Sequence, residues 1–322
     1  MEKNINIVYI ILIMNTLTAF SKKISETNGH LGKMYESNPH EDIKKLRERF
    51  ARDGYLFLKK LLLKDDVIAF REWVFNNLKD TGILKKNTEA KYGIANQELE
   101  KNLKKDFFQS GRSLNPAVKE KISQLVQSTK YESFCSQPRL TDFIDEFIRG
   151  ISYLHKRKIL RHTLPNSDNA TPAHYDLIYL RAGTDNIITA WIPIGDITIE
   201  EGGLMYLEGS HLEGVKLEEE FSKKNADLSR EEQINAFNKN MTEGGWISKD
   251  FPDLANKFNS QWLVANYEAG DVLLHSPYLI HASTNNESKE NRIRLSTDIR
   301  FQNVNDKIDK RWSNHWHEDD NL

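Results

Sequence analysis

The hydrophobic pattern along the chain changes character near Gly150. Between Glu41 and Arg149 the apolar residues recur mostly at helical spacing. Ile43, Leu46 and Phe50 mark a helix over Glu41–Asp53 that Gly54 ends, and Tyr55-Leu56-Phe57-Leu58 then reads as a short strand. A second helix is predicted from Asp66 to Leu78. Its Val67, Phe70, Val74 and Leu78 share one face, Asp65 and Asp66 sit where free backbone N–H groups need acceptors, and Gly82 follows its end. Leu140, Phe143, Phe147 and Ile148 predict a third over Pro138–Ile148.

Beyond Gly150 the apolar positions fall into short β-type runs. These are Arg157–Thr163, His174–Arg181, Asn186–Ile194, Leu204–Leu207, Gln261–Ala265, Val272–His275 and Arg292–Phe301, separated by Gly, Pro, Asn and Asp. Many short strands without strand–helix alternation imply an antiparallel sandwich or barrel, with the first half of the chain packed on its outside. The expected organisation is a disordered extension over residues 1–40 and a single domain over 41–322. Within that domain, 41–150 is helix-rich support, 151–305 the β core and 306–322 a C-terminal tail. The charged stretch Leu212–Ser260 interrupts the strands, and its place after the best ligand candidates favours a lid over a solvated excursion.

Composition narrows the chemistry. The chain of 322 residues carries 45 Lys and Arg against 47 Asp and Glu, so it shows no electrostatic footprint for nucleic acid, and a small-molecule partner is the default. The one cysteine, Cys135, excludes an internal disulfide and any Cys-built metal centre; a metal here must be held by carboxylates and some of the ten His. The apolar run Ile5–Met14 is too short for a membrane span, which needs about 20 residues. It reads as an extension or an upstream start ahead of Met14, with a signal-peptide core as the alternative. The sequons Asn169-Ala170-Thr171 and Asn286-Glu287-Ser288 lie close to the ligand candidates, where a glycan would block the site; this favours an intracellular, cytoplasmic location. No motif speaks to oligomeric state.

The informative pair is His174-Tyr175-Asp176. In a strand, residues two apart project from one face, about 7 Å apart at their Cα atoms, and can converge on one ion. Two His and one carboxylate on one face of an octahedron suit non-haem Fe(II) and leave three positions open, so a third ligand should come from a distant strand. The run Arg292–Phe301 alternates Arg292, Arg294, Ser296, Asp298 and Arg300 with Ile293, Leu295, Thr297, Ile299 and Phe301. It is either an edge strand with a wet face or a barrel strand whose polar face holds an anion. His162, His211 and His275 read as structural. His315-Trp316-His317 has ligand-like spacing but sits near the chain end.

The order of motifs resembles the phytanoyl-CoA dioxygenase family of Fe(II)/2-oxoglutarate oxygenases. The resemblance rests on Asp53-Gly54-Tyr55 at the entry, His174 and Asp176, the Trp191-Ile192-Pro193 segment with Asp196, Glu201-Gly202-Gly203-Leu204, Gly209-Ser210-His211, Ala269-Gly270-Asp271, and His281-Ala282-Ser283 followed by Arg292. It implies a mainly β fold with α, a double-stranded β-helix (jelly roll, cupin-like barrel) with N-terminal helices packed on its outer face. It makes His174, Asp176 and His281 the iron ligands, Arg292 the grip on the distal carboxylate of 2-oxoglutarate, Ser283 a hydroxyl sharing that grip, and Trp191 a wall of the pocket. Arg294, one pleat further along, is the rival to Arg292. The implied activity is hydroxylation, or a related oxidation such as desaturation, with O2 and 2-oxoglutarate consumed, succinate and CO2 formed, and ascorbate in support. Asp176 argues against halogenation, whose practitioners have a small residue there. Two alternatives from other classes are a non-catalytic jelly-roll binding protein and a cupin-type metal enzyme that does not use 2-oxoglutarate; the four intact positions speak against the first and the Ser283–Arg292 pair against the second. The substrate expected is a small organic molecule, since the Leu212–Ser260 stretch offers no clear basic patch for an acyl-CoA.

Overall fold

The computed structural model describes residues 16–98, 108–109, 112–113, 115–166, 170–236, 240 and 245–315. Four short strands come first: β1 (Thr16–Ala19), β2 (Lys22–Ser25), β3 (Leu31–Lys33) and β4 (Glu36–Ser37). Helix α1 (Ile43–Asp53) starts at Asp42, whose carboxylate accepts from the Lys44 N–H, and stops at Gly54 in a left-handed conformation with φ of 78°. Strand β5 (Tyr55–Leu58) follows, then α2 (Lys64–Leu78). The strand pair β6 (Phe108–Gln109) and β7 (Arg112–Ser113) precedes α3 (Pro116–Val126), α4 (Thr129–Cys135) and α5 (Pro138–Ile148). Asn115 and Ser128 cap α3 and α4 with their side-chain oxygens.

The remaining strands are β8 (Ser152–Leu154), β9 (Ile159–Thr163), β10 (Ile187–Pro193), β11 (Leu204–Leu207), β12 (Trp262–Val264), β13 (Val272–His275), β14 (His281–Ser283) and β15 (Arg294–Asn303). They form two sheets. The larger runs β4-β5-β13-β10-β15-β8, with β9 also pairing β15; the smaller runs β14-β11-β12-β3. Tyr55, Phe57, Trp191 and Leu273 of the larger sheet meet Leu204, Tyr206 and Leu263 of the smaller in one buried cluster, so the sheets face each other as a jelly roll. On the other side of the larger sheet, Leu46, Val67, Phe70, Val74, Tyr131, Phe134 and Leu140 of the helices pack on Leu56, Ala190, Ile192, Leu295, Ile299 and Phe301. Phe70 stacks on Phe134 with centroids 3.8 Å apart. Strand β15 is thus buried on both faces, its polar side turned between the sheets and its apolar side under the helices. The wet-edge alternative is thereby excluded.

Several expectations need correction. Residues 16–40 are not a disordered extension: β3 adds to β12 and β4 to β5, and Leu17, Ala19, Ile24 and Leu31 are core residues. The run His174–Arg181 is not a strand. After Asp176 the chain turns into a short helix α6 (Leu177–Leu180), because Leu177, Ile178 and Leu180 all bury into one cluster, which a strand's two-sided alternation would prevent. Leu212–Ser260 holds helices α7 (His211–Lys224), α8 (Arg230–Ile234) and α9 (Phe251–Lys257); Glu218 clamps Arg181 and Tyr175, and Phe251, Leu254 and Ala255 join the core. Its described part therefore packs against the body and is not the solvated excursion that is the alternative to a lid. Of the expected tail from residue 306, residues 306–315 pack on the body, with Trp312 buried, and Trp316 and His317 lie outside the described residues. Among the described residues no helix is long and apolar enough to cross a membrane.

Candidate active site

Two separate stretches of chain are stitched together to make the site. His174 and His281 form an antiparallel bridge, their backbone N–H and C=O groups bonded in both directions at 3.1 and 2.9 Å. Asp176 follows at the start of α6. His174, Asp176 and His281 are all buried, and one ligand atom from each lies within 4.8 Å of the others.

Each imidazole has a fixed tautomer. His174 Nδ1–H donates to Pro172 O at 2.8 Å and His281 Nδ1–H to Leu279 O at 2.9 Å, which leaves each Nε2 with a lone pair. The Nε2 of His281 stands 3.8 Å from Asp176 Oδ1. Burial pushes His174 down and His281 well below the usual histidine value, His281 further because His174 and His275 crowd it, so both rings are neutral. Burial alone would raise the Asp176 carboxyl. Arg300, and then the hydrogen bond from His275, outweigh it and hold Asp176 well below the carboxylate range. Two neutral nitrogen donors and one anionic oxygen, preset in tautomer and charge, fit a divalent metal such as iron.

Around the trio lies a narrow cleft walled by Trp191, Leu204 and Ala282 and by Arg161, Ser283, Arg294, Asp298 and Arg300. Asp176 Oδ1 accepts from Arg300 Nη2 at 3.0 Å; Oδ2 accepts from the Thr189 hydroxyl and lies 3.3 Å from His275 Nε2. The Tyr206 hydroxyl reaches His275 Nδ1 at 2.9 Å. Arg161 is paired with Asp298.

Sequence reasoning placed His174, Asp176, His281, Ser283 and Trp191, and all five meet at this cleft. Arg292 does not line it. Its Nε donates to Glu201 Oε1 at 2.7 Å, at a rim position bridged to Ile94 ahead of β15. The next residue on the same face, Arg294, does line the cleft, with Nη2 2.6 Å from Thr163 Oγ1 and Nε without a partner. His275, Arg161 and Thr189 were missed. Alternation along β13 puts His275 on the same face as Leu273, between the sheets, which was a usable signal; its nearness to Asp176 depends on β10 pairing with β13 and was not readable. His211 is structural as expected: its ring lies against Gly54, where a Cβ would stand 2.8 Å from His211 Cγ, and its Nε2 reaches Ala51 O. Asn286 is fully buried with its amide nitrogen bonded to Thr163 O and Arg292 O, so this sequon cannot carry a glycan in the folded chain.

Known proteins share this fold. The 1-deoxypentalenic acid 11-beta-hydroxylase of Streptomyces arenae is 25% identical over 179 residues, 54% of this chain and 57% of that one; the match thus spans little more than half of the relative's length. Among solved structures, the non-heme alpha ketoglutarate dependent carbocyclase SnoK from nogalamycin biosynthesis superposes with a TM-score of 0.54 at 15% identity, over 85% of this chain and 90% of its own. EctD from S. alaskensis, solved with bound Fe, gives a TM-score of 0.53 at 15% identity, over 92% of this chain and 86% of its own. Both support the jelly-roll architecture. The family model for phytanoyl-CoA dioxygenase (PhyH) matches residues 50–294, which reach from the end of α1 through His174, Asp176 and His281 to Arg294, and the chain belongs to that family.

Proposed function

We propose that the protein is an Fe(II)/2-oxoglutarate-dependent dioxygenase that hydroxylates a C–H bond of a small organic substrate. The convergence of two neutral, tautomer-fixed imidazoles and one carboxylate at a buried cleft carries this reading. Iron bound there supplies O2 activation coupled to the conversion of 2-oxoglutarate to succinate and CO2. The chain's own groups do the rest. Arg294 offers a guanidinium for the distal carboxylate of the co-substrate, in place of Arg292, which Glu201 already occupies. Ser283 Oγ accepts from the Thr171 N–H at 2.9 Å, which leaves its own proton to give to the same carboxylate. Trp191, buried and rigid, closes one side and keeps water out. Support for hydroxylation comes from the Streptomyces relative, named a hydroxylase, and from retention of Asp176. The buried Asn286 supports an intracellular setting.

The test is succinate formation from 2-oxoglutarate with Fe(II), O2 and ascorbate, compared between the natural protein and Asp176→Ala. Turnover in the first and none in the second is expected; equal rates would sink the assignment. A visible absorption band on adding 2-oxoglutarate to the anaerobic Fe(II) protein separates this reading from a cupin-type enzyme that binds metal alone.

A further inference from the structure

The cleft contains one guanidinium more than the proposed co-substrate uses. Arg300 is 3% exposed, and only its Nη2 is engaged, on Asp176; Nε and Nη1 have no partner. Its flat face lies over Trp312, 4.7 Å from the ring centroid, but stacking satisfies the face of a guanidinium and not the N–H groups that lie in its plane. Buried N–H groups left unpaired cost about 1–3 kcal/mol each, so natural structures pair them with protein, water or ligand. Among the described residues, the other buried guanidinium nitrogen of the cleft without a partner is Nε of Arg294, the group assigned to 2-oxoglutarate.

Charge points the same way. Arg161, Arg294 and Arg300 line the cleft against Asp176 and Asp298, and the two ligand imidazoles, each with its Nδ1–H on a carbonyl and Nε2 free to donate to a metal, add no charge. Fe(II) and the 2-oxoglutarate dianion cancel each other, so loading leaves one positive charge uncompensated. Arg300 does touch Asp176, but iron would take the charge of that carboxylate together with one carboxylate of 2-oxoglutarate, Arg294 the other, and Arg161 is already paired with Asp298, which leaves the surplus on Arg300. A single negative charge is what remains to be supplied. A phosphate monoester brings close to two at neutral pH, whereas a carboxylate brings one and matches the guanidinium fork.

We infer that the prime substrate is a carboxylic acid, held by its carboxylate on Arg300 so that its hydrocarbon part lies against Leu204 and Trp191 beside the metal ligands. This deepens the functional reading above and rests on it.

Calorimetric titration of the anaerobic Fe(II)- and 2-oxoglutarate-loaded protein with octanoate, and with octanamide as its neutral twin, tests it. Octanoate should bind at least tenfold more tightly than octanamide, and Arg300→Gln should erase that preference when Fe(II) and 2-oxoglutarate are raised until the absorption band matches that of the natural protein. Arg300→Lys, which keeps the charge and loses the fork, should restore part of it. Equal binding of the two probes, binding of neither, loss of the band as octanoate displaces 2-oxoglutarate, or an undiminished preference in Arg300→Gln would each overturn the inference. The wild-type comparison decides even if the Gln variant does not fold. Failure of the oxygenase reading shows separately, as absence of the band before any acid is added, and removes this proposal with it.

Discussion

His174 and His281 are joined twice by their main chains, and their rings stand 4.2 Å apart. The spacing of the two imidazoles is therefore set by a backbone ladder and not by the rotamers of free side chains. Removing either ring should empty the metal position without loosening the frame. His174→Ala and His281→Ala are expected to lose at least tenfold in Fe(II) content, measured by elemental analysis after anaerobic loading, with unchanged far-ultraviolet circular dichroism. Collapse of the dichroism in both would show that the rings hold the fold.

His275 orients Asp176 from behind and is itself held by Tyr206. Outer partners of metal ligands are commonly worth about 10–100-fold in affinity. His275→Ala should weaken Fe(II) binding within that range, and His275→Gln, which keeps an N–H near the position of Nε2, should recover part of it. Competition with a chromophoric chelator gives the dissociation constants; wild-type affinity in His275→Ala would remove the residue from the site.

The two arginines that sequence alone left as rivals should separate cleanly. Arg294→Ala is expected to raise the half-saturating 2-oxoglutarate concentration at least tenfold, because it empties the buried position. Arg292→Ala should change it little, and its cost should appear in stability, because Glu201 is buried and loses its guanidinium partner. The reverse order in a 2-oxoglutarate titration would return the grip to Arg292.

Acid should destabilise the protein before its carboxylates titrate. Burial pushes His155 and His162 down to about 4, against an ordinary value near 6.5. Between those values the unfolded chain takes up protons that the folded chain refuses, so stability is full above about pH 6.5 and falls as pH drops towards 4. At about 1.4 kcal/mol per pKa unit, each histidine contributes on the order of 3 kcal/mol to that loss. Asp176 is held low in the folded state, and its contribution disappears only further down. Urea midpoints at pH 7.5 and pH 5 should differ accordingly, with a smaller difference in His162→Leu; a pH-independent midpoint would contradict the burial of these rings.

Local pattern went far in this chain. The ends of β5, α5, β11 and β13 fall where alternation, Pro138 and the flanking glycines put them. What failed had a common cause. The run from His174 looks like a strand because apolar residues are dense there, and density alone does not separate a buried helical turn from a strand. The strands β3 and β4 are two or three residues long and owe their existence to the edges they join, β12 and β5, which no window of sequence contains. The site divided in the same way. Ligand types and order were legible in His174, Asp176 and His281, whereas the choice between Arg292 and Arg294 depends on where β15 enters the sheet, and the role of Arg300 on which strand lies beside it.

Strand β15 is at once the floor of the cleft and the ceiling of the helical half, with Arg294, Ser296, Asp298 and Arg300 above and Leu295, Ile299 and Phe301 below. Any change that shifts one side moves the other, so chemistry and folding are mechanically coupled along this segment. Remodelling the protein for a different substrate should meet least resistance on the opposite wall, at Leu204, whose cluster between the sheets contains no residue of a helix.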